Sequence, residues 1–90
     1  MPTRAELSLA QPFAAPETAT EKSVAPILCE VLGLDAVGRD DRFFDLGLDS
    51  FSALRVSLAA EDRLGLALDT SWMAEEETLR TLCARVKTPA

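Results

Sequence analysis

Histidine is absent from this 90-residue chain, and with it goes the side chain that most often serves as a general base. Cysteine is scarce. Cys29 and Cys83 are the only two, too few and too far apart for a disulfide framework or a metal site, so both are expected as reduced core residues. No apolar run is long enough to span a bilayer, and Arg4 and Glu6 interrupt any signal-like pattern at the N-terminus. The expectation is an uncleaved cytoplasmic chain with no membrane attachment.

Positive charge is also in short supply. Nine Lys and Arg stand against fifteen Asp and Glu, a formal charge of −6. Divided after Lys22, the chain carries −1 in its leader and −5 in the remainder, so the acidity belongs to the part expected to fold. Such a surface repels nucleic-acid phosphates and anionic lipid, and it favours protein partners that present basic patches. With 48% apolar and 27% charged residues the composition is that of one small globular domain. A core of this size supplies only about 3 to 5 kcal/mol, which weighs against a deep catalytic cleft and hence against an enzyme.

Residues 1–20 mix Ala, Pro, Thr and Gln without periodicity, the pattern of a flexible leader, in which Leu7, Leu9 and Phe13 are the residues a partner would take up. A domain over 21–87 and a tail over 88–90 follow. In the domain, Val24, Ile27, Leu28, Val31 and Leu32 form one stripe at helical spacing. Pro26 places the start of this helix at a Ser23 N-cap, because a start at Thr18 or Thr20 would put the proline in the interior; Gly33 ends it. The stretch from Gly33 to Asp49 has no helical period, yet Leu34, Val37, Phe43, Phe44 and Leu46 require it to lie against the domain. A second helix runs from Ser50 to Leu64, capped by Asp49 and stopped by Gly65. Leu66 to Leu68 read as extended, Ser71 to Glu75 as a short helical turn, and Thr78 to Arg85 as a last helix with Leu79, Leu82, Cys83 and Val86 on one face. The expected fold is all-α, a small four-helix bundle of three main helices plus a short third one.

The segment FFDLGLDS, residues 43–50, sets a serine at the first turn of the second helix. Unsatisfied backbone N–H groups and the positive end of the helix dipole favour a phosphate there. Gly47 permits a sharp approach, and the two Phe residues are expected to anchor the loop so that Ser50 is presented outward. Alone, Asp49-Ser50 is no more than an ordinary helix cap. The longer run EVLGLDAVGRDDRFFDLGLDSFSAL, followed by Leu64-Gly65, Leu68, Thr78 and Leu82, closely resembles the acyl and peptidyl carrier proteins of polyketide and non-ribosomal peptide synthesis. The match covers residues 24 to 86.

That resemblance implies a carrier protein without catalytic activity of its own. Ser50 would bear 4′-phosphopantetheine, transferred from coenzyme A by a phosphopantetheinyl transferase, and acyl, aminoacyl or peptidyl groups would ride on its thiol as thioesters. Asp49 would cap the helix and help the transferase and its Mg²⁺ engage. The further partners implied are a loading enzyme and the condensing or tailoring enzymes of secondary-metabolite (antibiotic) biosynthesis, served by a monomer. The alternative is a non-catalytic interaction adaptor with a carrier-like fold and an unmodified Ser50. A serine hydrolase lacks its base and its Gly-x-Ser-x-Gly turn, and a calcium loop from Asp40 has Arg42 and Phe44 where acids are required.

The second helix presents two apolar stripes, Phe51, Leu54 and Leu58 on one side and Ala53, Val56, Ala60 and Leu64 on the other. Size alone would bury the first set. The resemblance reverses that choice and makes Phe51, Leu54 and Leu58, with Leu48 and Arg55, the face that docks on partner enzymes. Gly47-Leu48 is the acyl-carrier form of a motif that has two glycines in most peptidyl carriers, whereas Arg55 is peptidyl-like. Glu77 replaces the usual proline before the last helix, and Trp72-Met73-Ala74 departs from the family's Leu-Phe. Met1 and the short tail after Val86 lean towards a discrete carrier.

Overall fold

The structure is a computed structural model that describes residues 12–86. Its helices are α1 (Ala19–Leu32), α2 (Phe43–Leu46), α3 (Ser50–Leu64), α4 (Thr70–Glu75) and α5 (Leu79–Arg85). The expected four helices are present, with α2 as an added single turn in the long connection, too short to show a period in sequence. Extended structure among the described residues is confined to one antiparallel bridge, Arg42 to Thr78.

The first helix starts earlier than Ser23. Thr18 is its N-cap, accepting the N–H of Glu21 at 3.0 Å, and Ser23 lies one turn inside with its hydroxyl donating to the Ala19 carbonyl. Pro26 is therefore an interior residue. The carbonyl that loses its donor belongs to Lys22, which is exposed, as is Pro26; on the solvent side of the helix the usual penalty shrinks, and a good cap outweighs it. The boundary expected between residues 20 and 21 thus falls inside α1, and Leu7, Leu9 and the 88–90 tail lie outside the described residues.

The core is built where three stripes meet. Val24, Ala25, Ile27 and Leu28 of α1 pack on Ala53, Val56 and Ala60 of α3, and Leu79, Leu82 and Cys83 of α5 close the third side. Two alanines on the buried face of α3 let its backbone approach α1 closely, leaving the larger residues of that helix for the opposite face. Cys83 is buried and its thiol is pushed up to about 12 by that burial, while Cys29 is half-buried; both are free thiols. Leu34, Val37, Phe43 and Leu46 bring the long connection onto the same core.

Polar groups hold that connection in register. Arg39 reaches α1 with a two-pronged pair to Glu21, Nε to Oε1 at 2.7 Å and Nη2 to Oε2 at 2.8 Å. Its backbone carbonyl accepts the Arg80 N–H at 3.0 Å, and the Phe43 N–H donates to Glu77 at 2.7 Å, so the loop is stitched to the start of α5. Buried Asp41 takes the Gly38 N–H at 2.7 Å. Glu21 is only 1% exposed, and its bonds to Arg39 hold its carboxyl down to about 2, against an ordinary value of 4.5. A carboxylate with a lowered folded-state pKa stabilises fully above its unfolded value and loses that contribution as pH falls through the folded one. Stability should therefore decline between about pH 4.5 and 2 by about 3 kcal/mol on this account, and Glu21→Gln should flatten that part of the profile in urea unfolding measured across pH.

Candidate functional site

Ser50 is the first residue of α3. The chain reaches it through a tight turn: Gly47 caps α2 in the left-handed region at φ 87°, and the Leu48 N–H returns to the Phe43 carbonyl at 3.0 Å. The positive φ favours glycine at that position. Asp49 is extended, at φ −118°, and its carboxylate accepts the Ser52 N–H at 2.8 Å, a regular N-cap. That bond holds the Asp49 carboxyl below its usual range. The sequence reading of this helix start and of its stop at Gly65, φ 65°, agrees with the structure at both ends.

Ser50 is exposed, and its hydroxyl makes no hydrogen bond among the described residues. It stands at the rim of a cleft of about 490 Å³ between the start of α3 and the start of α4, with Leu48, Ala53 and Leu54 on one wall and Thr70, Met73 and Ala74 on the other. An anion on the Ser50 oxygen would gain from the dipole of a fifteen-residue helix, but Asp49 already places a carboxylate at that end. The hydroxyl's outward exposure resolves the competition, because a group attached to it is able to turn towards water and away from Asp49. No base is bonded to Ser50, and among the described residues no cluster of three His, Cys, Asp or Glu is placed to hold a metal.

The two stripes of α3 differ in burial as the resemblance implied, except that Leu64, grouped with the inner stripe, is 37% exposed at the end of the helix. Ala53, Val56 and Ala60 are buried, whereas Phe51, Leu54 and Leu58 are 71%, 48% and 57% exposed. Arg55 is exposed beside them, and Leu48 is partly buried, packed against the core at the edge of the cleft. The paired Phe residues behave differently from expectation: Phe43 alone anchors the loop, and Phe44 is 87% exposed. A single helical turn sends adjacent side chains about 100° apart, so only one of the pair can face the core. Phe44 thereby joins the exposed apolar surface near the site, a residue that the pattern of the sequence assigned to anchoring.

Comparison with known proteins bears on this arrangement. The family described as a phosphopantetheine attachment site matches residues 22–86. Surfactin synthase subunit 2 of Bacillus subtilis is 36% identical over 78 residues, which is 87% of this chain and 2% of that protein. The isonitrile lipopeptide synthase of Mycobacterium tuberculosis is 41% identical over 70 residues, 78% of this chain and 3% of that one; the chain thus spans a small fraction of these relatives. Among solved structures, a non-ribosomal PCP domain superposes with a TM-score of 0.77 at 31% identity, covering 86% of this chain and 99% of that one. A type-II acyl-carrier-protein of Streptomyces verticillus involved in bleomycin biosynthesis gives 0.66 at 29% identity, covering 73% and 80%.

The N-cap can be tested apart from any modification. Asp49→Ala should cost about 1 kcal/mol, lowering Tm by about 4 to 8 °C for a domain of this size, with α3 still formed by circular dichroism.

Proposed function

The chain belongs to the phosphopantetheine attachment-site family, as a carrier domain of the kind found in non-ribosomal peptide and polyketide synthetases that bears covalent 4′-phosphopantetheine, and from that premise we propose that Ser50 is the attachment residue. One observation carries the assignment: an exposed serine hydroxyl with no internal hydrogen bond opens the longest helix, directly after its N-cap and beside an open cleft. In the transfer, the Ser50 oxygen forms a bond to the phosphorus of the pantetheine-bearing phosphate of coenzyme A. The bond from that phosphorus to the nucleotide diphosphate bridge breaks, adenosine 3′,5′-bisphosphate leaves, and the hydroxyl proton passes to a base of the transferase. Among the described residues no side chain is hydrogen-bonded to the hydroxyl, and the activating groups and the Mg²⁺ are assigned to the partner enzyme.

Asp49 caps α3 and holds its end in register for that enzyme, and its carboxylate would help the transferase and its Mg²⁺ engage. When bound, the arm supplies a terminal thiol, on which acyl, aminoacyl or peptidyl intermediates are held as thioesters. The chain itself presents them and performs no catalysis. Phe51, Leu54, Arg55 and Leu58, with Leu48 at the cleft edge, form the docking face for the transferase, the loading enzyme and the condensing or tailoring enzymes. A small apolar surface with one cation among its residues fits transient encounters in which no partner is held for long. We place the protein in the cytoplasm as a monomer, where coenzyme A is at hand.

Incubation of the full chain with coenzyme A, Mg²⁺ and a broad-specificity phosphopantetheinyl transferase should raise its intact mass by one phosphopantetheine, and Ser50→Ala should abolish the gain while retaining helicity. A mutant loaded to the same extent overturns the site assignment; a folded parent that takes up nothing favours the unmodified adaptor. Leu54→Asp should change stability by no more than about 0.5 kcal/mol, as for exposed positions in general, yet lower kcat/KM for loading. A large fall in Tm would refute its place on the docking face.

A further inference from the structure

Far from Ser50, the segment ahead of α1 is fastened to the body of the domain. The Ala14 carbonyl accepts the Arg39 backbone N–H at 2.8 Å, and Glu17 accepts from Arg39 Nη1 at 2.6 Å. The Glu17 N–H in turn donates to Glu21 Oε1 at 3.1 Å. Gly38 completes the seat, since a Cβ there would stand 3.1 Å from the Ala14 carbonyl oxygen and 3.0 Å from Asp41 Oδ2. The loop thus leaves room for the segment's backbone where any side chain would crowd it. One guanidinium serves both ends of the arrangement, two of its nitrogens on buried Glu21 and the third on Glu17, whose side chain is 69% exposed.

We propose that residues 14–18 form a strap, clasped by Arg39, that fixes where the preceding chain leaves the carrier domain. The clasp lies against α1, the loop at Gly38–Arg39 and the start of α5, and its surroundings (Thr18, Glu21, Arg39, Arg80, Cys83) share no residue with the cleft at Ser50. The strap is therefore seated at a part of the body separate from the cleft at Ser50. Fastening also shortens the free tether, which sets the volume the carrier can sweep and the effective concentration at which it meets anything joined to that end. The inference is independent of Ser50 being the modified residue, because every contact it uses lies in the unmodified body.

The strap reports on itself through one amide, since the Arg39 N–H is protected only while Ala14 stays seated. Glu17→Lys sets a cation against the guanidinium and leaves the Arg39–Glu21 pair in place, so the fold is retained. In full-length ¹⁵N-labelled protein this variant should raise hydrogen exchange at the Arg39 amide at least tenfold. It should also lower the heteronuclear Overhauser effect of residues 13–17 below that of α1, with exchange in α3 unchanged. Arg39→Ala should do the same where it folds; if it unfolds instead, the Glu17→Lys result decides alone. Unchanged exchange at the Arg39 amide in Glu17→Lys, or residues 13–17 as mobile in the parent as in the variant, overturns the proposal.

Discussion

Glu21 is an ionised carboxylate with almost no exposure, in a domain too small to bury charge without compensation. It is kept there because Arg39 arrives from the long connection between α1 and α3 and meets both of its oxygens. Removing Arg39 would leave a buried carboxylate unmatched, which is more damaging than the loss of the pair's net attraction; Arg39 itself would still keep Glu17. The geometry of the loop follows from this one contact. With Arg39 fixed on α1 and its carbonyl bound to Arg80, the chain beyond it is delivered to Phe43, whose ring enters the core and whose N–H is taken by Glu77. Three residues later α2 closes at Leu46, Gly47 turns, and Asp49 caps α3. Ser50, at the rim of its cleft, is thus set in place through a salt bridge that does not touch it.

The parts of the fold that were legible in sequence are those governed by local rules. Asp49 and Gly65 bracket α3 because each acts within one turn, through a side-chain cap and a left-handed terminus. Where two local rules conflicted, at the start of α1, the proline was given more weight than the threonine. The structure shows the reverse, since Pro26 sits on the exposed face, where a missing N–H costs less than it would in the core. The one-turn α2 carries too few residues for a period, so which of Phe43 and Phe44 is buried had no sequence signal. The clasp was illegible for a different reason. Arg39 and Glu21 are far apart along the chain, and nothing in the composition of residues 14–18 separates a seated strap from a free leader.

The orientation of α3 shows how function and stability divide one helix. Burying Phe51, Leu54 and Leu58 would remove more apolar surface from water than burying Ala53, Val56 and Ala60, by about 0.8 kcal/mol for each additional methylene. The bundle adopts the poorer choice. Rotating α3 to bury the larger set would force α1 outward, because the alanines permit the close approach on which the α1–α3 contact depends. It would also carry the helix away from Asp49 and the Gly47 turn, which fix its first residue. The large apolar residues remain outside, on the same helix that begins with Ser50, so a protein packed on them would stand on the helix whose first residue is that serine. The exposed stripe therefore weakens the fold in isolation, and the gain that offsets it has to come from packing against something outside the domain.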